Sequence, residues 1–253
     1  MHRHLLLLVF LVVAKGVWAA GPNIAAASDL KFALDEVVKA FEKQGGKPVN
    51  PVYGSSGNFV RQIAQGAPFE MFLSADEAYV FELDKKGLAQ DPGALYAVGR
   101  IVLFVPNNVA IKPDVELKDV RAASADGRLT KFSIANPEHA PYGRAAREAL
   151  TALGIWEVLA PKLVLGENVS QAAQFVASGS AQAGIFSLSL AVSPNFARAG
   201  MYVTLPESLH APLRQRMVLL KSASPTSTEF YAFVKSPAAR AILRKYGFTL
   251  PGE

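Results

Sequence analysis

The sequence predicts an α/β protein folded as two lobes with a ligand cleft between them. Short apolar runs alternate with amphipathic helical segments along most of the 253 residues, the pattern of strands crossed by helices in mostly parallel sheets. The strand–turn–helix plan is laid down twice. Two polar interruptions, Asn107 to Arg128 and Pro206 to Leu213, fall where the chain would cross between halves. A single doubly wound sheet is the alternative arrangement; the interruptions favour two lobes, the second inserted into the first.

The elements follow in order. His2, Arg3 and His4 precede an apolar run from Leu5 to Ala14 and small residues around Val17, Ala19 and Ala20, which is the layout of a cleavable secretory signal at 1–19. The run falls short of the roughly 18–20 apolar residues that span a bilayer, and Lys15 interrupts its end, so a membrane anchor fits less well. The expected mature chain starts at Ala20 and is periplasmic.

Asn23 to Ala27 reads as the first strand, and Leu30, Leu34, Val37, Val38 and Phe41 then fall on one face of a helix. Val49 to Tyr53 is a strand, Asn58 to Gln65 a helix, Phe69 to Ser74 a strand, and Asp76 to Lys86 a helix stopped by Gly87. Arg100 to Val105 is apolar on both faces, hence a buried strand.

The second half repeats the plan, with strands at Lys131 to Ala135, Lys162 to Leu165 and Ala183 to Phe186. Its helices run from Gly143 to Leu153 and from Val169 to Ser178, ended by Gly154 and Gly179. Met201 to Leu205 and Arg216 to Leu220 return the chain, and helices at Thr226 to Val234 and Pro237 to Tyr246 close it. The expected division is lobe 1 at 20–102 and 207–253, and lobe 2 at 103–206.

Composition narrows the function. There is no cysteine, so disulfides, thiolate metal sites and a cysteine-borne lipid anchor are excluded. Net charge is +5, or 24 basic against 21 acidic residues once Arg3 and Lys15 leave with the signal. The basic residues are scattered, with Lys85–Lys86 and Arg214–Arg216 the tightest pairs. Nucleic-acid binding calls for a concentrated basic stripe, and none is present.

Four turns carry the candidate chemistry, each where a strand ends and a helix begins: Ala25 to Asp29, Tyr53 to Asn58, Asn136 to Gly143, and Glu167 to Ser170. Ligands of α/β sheets bind beyond the carboxyl ends of the strands, where such turns lie. Helix N-termini there present unpaired N–H groups and the positive end of the helix dipole, and serines add rotatable donors. A deprotonated tetrahedral dianion accepts hydrogen bonds at every oxygen, and about four helix termini, each worth roughly half a positive charge, balance it without a buried cation. Any one of these turns is also an ordinary helix cap; their coincidence in both halves points to a ligand.

At these turns the chain resembles the molybdate-binding proteins of bacterial ABC importers. The matching strings are AAASDL (25–30), YGSSGNFVRQIAQGAPFEMFLSADE (53–77), NPEHAPYG (136–143), ENVSQA (167–172) and KYGFTLP (245–251). The resemblance implies the type II periplasmic-binding-protein fold and a molybdate or tungstate ligand passed to a membrane permease. It also implies a monomer without cofactor. Carried over, Ser28 and Ser56 bind the oxyanion through hydroxyl and backbone N–H, and Tyr142 and Val169 through backbone N–H; the molybdenum itself takes no protein ligand.

Two departures bear on the ligand. Ser187 stands where many relatives place a tyrosine whose hydroxyl reaches the anion. Asp29 puts a carboxylate beside Ser28; it is expected to turn outward as a first-turn acid of the helix while its N–H points inward. Were it to face inward, a protonated ligand such as hydrogen phosphate would gain an acceptor.

Rival functions remain. Sulfate, phosphate or thiosulfate suits the same donor set. A serine hydrolase is less favoured: the nucleophile elbow needs G-x-S-x-G, which GSSG is not, and His139 and His210 stand in no triad context. His139 with Glu138 lacks metal-ligand spacing, and Tyr53, Tyr142 and Tyr202 form no clustered pair for ferric iron.

Overall fold

The computed structural model describes residues 21–252, so the expected signal peptide lies outside the described residues. Two five-stranded sheets share one plan. The first has the order β2-β1-β3-β10-β4, from β1 (Asn23–Ala27), β2 (Asn50–Gly54), β3 (Met71–Ser74), β4 (Ala94–Gly99) and β10 (Leu213–Leu219). The second has the order β7-β6-β8-β5-β9, from β5 (Ile101–Pro106), β6 (Phe132–Ala135), β7 (Leu163–Gly166), β8 (Ala183–Ser187) and β9 (Gly200–Thr204). In both, the strand that brings the chain in from the other half takes the fourth place: β5 in the second sheet, β10 in the first.

These crossing strands make the sheets mixed rather than mostly parallel as expected. β1 pairs parallel with β2 and β3, and β6 with β7 and β8, but β10 and β5 each run antiparallel to both neighbours. A strand that enters from a different lobe, rather than through a helical crossover, is under no obligation to run parallel. β5 pairs wholly within the second sheet, so Ile101 and Val102 go with that sheet and the chain crosses at Arg100. Arg100 also bonds Glu207 at 2.8 Å, joining the two crossing segments.

The helices follow the apolar periodicity. α1 (Lys31–Lys43) buries Ala33, Leu34, Val37, Val38 and Phe41. α2 (Ser56–Ala64) buries Phe59, Val60 and Ile63, and α3 (Glu77–Lys85) is capped by the Asp76 carboxylate accepting from the Ala78 amide. Among the elements that went unanticipated, besides the single-turn helices Trp156–Leu159 and Leu188–Ala191, two are longer. β4 was hidden because Ala94 to Gly99 follows a loop of Pro and Gly without an alternating face. α4 (Lys118–Asp126) lies inside the polar stretch and buries only Val120, Ala123 and Ser124, too little to show as a stripe.

In the second half come α5 (Pro141–Ala152), α6 (Trp156–Leu159), α7 (Val169–Ala177) and α8 (Leu188–Ala191). α9 (Pro225–Val234) and α10 (Pro237–Lys245) return to pack on the first sheet. Gly154 (φ 64°) and Gly179 (φ 77°) take the left-handed conformation after α5 and α7, as their places after the apolar runs predict. Phe104, Phe186 and Phe196 pack together in the core of the second half, with Phe104 and Phe186 ring centroids 5.2 Å apart. The layout matters for the site because the carboxyl ends of β1, β2, β6 and β7 face one another across the junction of the sheets.

Candidate functional site

One small cavity lies at that junction. It is lined by Ala27, Ser28, Asp29, Gly54, Ser55, Ser56, Ala75, Ala140, Pro141, Tyr142 and Val169. Thus all five residues expected at the site, Ser28, Asp29, Ser56, Tyr142 and Val169, are brought together there. Ser56 is the first residue of α2, Tyr142 the second of α5 and Val169 the first of α7, positions whose N–H groups have no acceptor within their own helix. Pro141 opens α5 where its missing N–H costs nothing.

The serine hydroxyls are held by their acceptor side. Ser56 Oγ accepts from the Ala75 amide at 3.0 Å, and Ser28 Oγ from the Ser170 amide at 3.3 Å. Each hydroxyl proton is thereby left to donate elsewhere. No Lys or Arg lines the cavity, so helix termini are what it offers to a negative charge.

Asp29 overturns one expectation. It does not turn outward: the residue is 1% exposed, and its Oδ2 accepts from Tyr142 Oη at 2.9 Å and Gln215 Nε2 at 2.7 Å. Gln215 in turn accepts from Tyr96 Oη at 2.7 Å. The reason is the 3-10 turn Ser28–Leu30, which tucks between the halves, with Ser189 Oγ donating to the Asp29 carbonyl at 2.8 Å. Buried Oδ1 has no hydrogen-bond partner. Burial raises the carboxyl pKa to about 6, against the lowering effect of the Gln215 and Tyr142 bonds and of the neighbouring amides of Asp29 and Leu30.

Ser187 is buried but is not part of the cavity lining. Its Oγ accepts from the Leu190 amide at 3.4 Å and from Ser189 Oγ at 3.0 Å, capping α8. The phenol of Tyr142 reaches across the junction instead, yet it is spent on Asp29. Gly99 makes room for it, since a Cβ there would sit 2.1 Å from the Tyr142 hydroxyl oxygen.

Sequence reasoning missed Gln215, Ser170, Ser189 and His139 as members of this junction. Gln215 carried a signal: Leu213, Gln215 and Met217 alternate inward along β10, which places an amide among apolar neighbours. His139, which stands in no triad or metal-ligand context, is 8% exposed and lies 2.9 Å through Nδ1 from Ser55 Oγ. That pairing depends on a partner 84 residues away, which no local pattern reveals.

Two lobes, helix N-termini converging from both, and a cavity without cations define a solute-binding protein. The family model for bacterial extracellular solute-binding proteins matches residues 22–249, and the chain belongs to that family. It is 37% identical over 235 residues to the molybdate-binding protein ModA of Rhodobacter capsulatus, covering 91% of this chain and 89% of that protein. With ModA of Azotobacter vinelandii it shares 34% over 242 residues, 94% of each. The solved A. vinelandii periplasmic molybdate-binding protein superposes with a TM-score of 0.81 at 31% identity, covering 91% of this chain and 99% of that one. The fold is accordingly the type II binding-protein fold. The sulfate-binding protein SubI of Mycobacterium tuberculosis, at 15% identity, 92% and 88% coverage and TM-score 0.73, shares the fold.

Proposed function

We propose that this protein captures molybdate or tungstate outside the cytoplasmic membrane and delivers it to an ABC importer. The observation that carries the reading is that Ser28, Ser56, Tyr142 and Val169, from both halves, line one cation-free cavity. The likeness to molybdate-binding proteins over nine-tenths of the chain supports the choice of anion. In this reading 1–19 is a cleaved export signal and the mature protein is a periplasmic monomer with no cofactor and no catalytic activity. The two sheets act as lobes, 21–99 with 207–252 against 101–206, hinged at the crossing segments.

Every oxygen of the anion accepts. The donors are the N–H groups of Ser28, Ser56, Tyr142 and Val169 and the hydroxyls of Ser28 and Ser56. Helix dipoles balance the charge. Because each lobe supplies part of the set, full coordination needs the closed cleft.

Asp29 supports a second reading, in which the ligand is an oxyanion that keeps a proton, such as hydrogen phosphate, and the carboxylate accepts it. A thermal-shift panel of molybdate, tungstate, sulfate, thiosulfate and phosphate separates the two. A ligand at a hundred times its Kd stabilises by about 2.7 kcal/mol, well within detection. Calorimetry on Ser56→Ala then checks the donor set. Loss of one hydroxyl is expected to weaken molybdate about five- to a hundredfold, and the ligand-free Tm is expected to fall as well because the Ala75 amide loses its acceptor. Unchanged affinity refutes the assignment, and a shift with phosphate alone selects the second reading.

A further inference from the structure

The two glycines of Gly54-Ser55-Ser56-Gly57 answer different demands. A Cβ on Gly54 would meet its own lobe, 2.9 Å from the Phe59 ring. A Cβ on Gly57 would meet the other lobe, 2.6 Å from the His139 carbonyl oxygen and 3.1 Å from the His139 Cα. Gly57 is not among the positive-φ glycines, so backbone conformation does not demand it. What demands it is the close approach of another main chain.

The contact is a bonded one. The Gly57 amide donates to the His139 carbonyl at 3.0 Å. The imidazole then locks the pair: Nδ1 lies 2.9 Å from Ser55 Oγ and Nε2 3.6 Å from Glu167 Oε2, while Glu167 Oε1 accepts from Asn58 Nδ2. The His139 loop is itself stiffened, with Glu138 N donating to Asn136 Oδ1 at 3.0 Å and Ala140 N to the Asn136 carbonyl at 3.0 Å. Neither Gly57 nor His139 lines the cavity. Their contact joins the lobes next to the anion site without belonging to it.

We propose that Gly57 and His139 form the closure latch of the cleft, the main chain of one lobe docking on the bare Cα of the other, and that this latch sets how long a captured anion is held. His139 is a positioning residue: it acts through Ser55 and Gly57 on the helix end that faces the ligand. The proposal rests on the reading of the cavity as an oxyanion site that closes on its ligand.

The chain has no cysteine, so Lys85→Cys and Glu157→Cys, exposed and on opposite lobes, place a clean spin-label pair for interlobe distances. With molybdate as probe, the wild-type distance distribution is expected to change on binding. Gly57→Ala is expected to leave the ligand-free Tm in place, because Tyr79 Oη, 2.8 Å from the new methyl group, is the end of a movable side chain. It should bind molybdate about five- to a hundredfold more weakly, with less of the closed population that the ligand induces in the wild type. His139→Ala should release the anion about five- to tenfold faster while the capture rate stays within about twofold, and His139→Asn should recover most of the loss.

Wild-type affinity and closure in Gly57→Ala overturn the latch, as does a sharp fall in its ligand-free Tm, which would place the clash inside one lobe. Equal losses in capture and release for His139→Ala overturn the part assigned to the imidazole. Should molybdate leave the wild type unmoved, the ligand assignment fails. The latch is then read from ligand-free distances, where Gly57→Ala must lack the closed population of the wild type; identical distributions refute it.

Discussion

Replacing Asp29 by asparagine isolates the physics of this cavity. In the proposed function a dianion shares it with the Asp29 carboxylate. At roughly 5 Å and an effective dielectric of about 20, a single and a double negative charge repel by ~6–7 kcal/mol. Protonating the carboxyl costs far less. With its pKa at about 6 from burial, proton uptake costs ~1.4 kcal/mol at pH 7 and ~2.7 kcal/mol at pH 8. Binding of molybdate is therefore expected to bring one proton with it, onto Asp29 Oδ1, which then donates to the anion while Oδ2 keeps Tyr142 and Gln215.

The sign follows from the direction of the shift. The bound anion raises the pKa above its ligand-free value, so affinity is full below about pH 6 and falls as pH rises, by about tenfold per unit. Asp29→Asn removes the charge, retains an acceptor for Tyr142 and Gln215, and offers an N–H where the acid offered its proton. Its Kd is expected to be flat from pH 6.5 to 8.5 and, at pH 8, up to about a hundredfold below that of the wild type. Calorimetry in buffers of different ionisation enthalpy counts the proton directly. A wild-type Kd that does not change over this range, or no proton uptake, refutes the reasoning. If instead the ligand is hydrogen phosphate, Asp29 binds it ionised and Asp29→Asn weakens binding at every pH.

Three further outcomes are expected. Gly99→Ala pushes a methyl group to 2.1 Å from the Tyr142 hydroxyl oxygen and 2.9 Å from Gln215 Nε2, and should cost about 1–3 kcal/mol by urea denaturation; adding Tyr142→Phe should recover part of it. Phe104→Ala, fully buried against Phe186 and Phe196, should destabilise by about 3–5 kcal/mol in the same assay. Arg144 bridges lobes to Asp76 and to Tyr79 Oη at 2.9 Å, but stays about a third exposed. Arg144→Ala should therefore shift molybdate affinity by no more than ~1 kcal/mol, an effect that fades as salt is added.

How much of this was legible in the sequence depended on whether the cause was local. The N-terminus of α7 was, because Asn168 and the first apolar turn lie side by side; α2 and α5 begin two residues before the starts expected at Asn58 and Gly143, because their first turns carry small and proline residues rather than an apolar stripe. The strands whose apolar runs stand alone were found, and α4 was lost because its buried face is three small residues wide. Asp29 was misjudged because an acid in a first turn is common on exposed helices, and only the fold shows that its two donors are Tyr142 of the opposite lobe and Gln215 of its own, 113 and 186 residues away. Gly57 was visible as a motif letter. Its reason was not, because the atom that forbids a side chain belongs to His139.

Those non-local partners sit on the strands that carry the chain between lobes or on the turns they support. Gln215 is on β10, and Gly99 immediately precedes the crossing at Arg100. The bonds that hold Asp29 thus lie beside Gly99 at the proposed hinge, where opening displaces atoms least, whereas Gly57–His139 and Arg144–Asp76 join the turns and helix ends that face each other across the cleft. Rotation about the crossing segments stretches the outer contacts first. The acid is then exposed last, after the latch has parted and water has entered. Release in this order predicts that His139→Ala accelerates dissociation at every pH by a similar factor, while Asp29→Asn changes the slope of affinity against pH; the double variant should show both effects, multiplied. A product well short of the two single effects would mean that latch and acid part together, and that the hinge does not separate them.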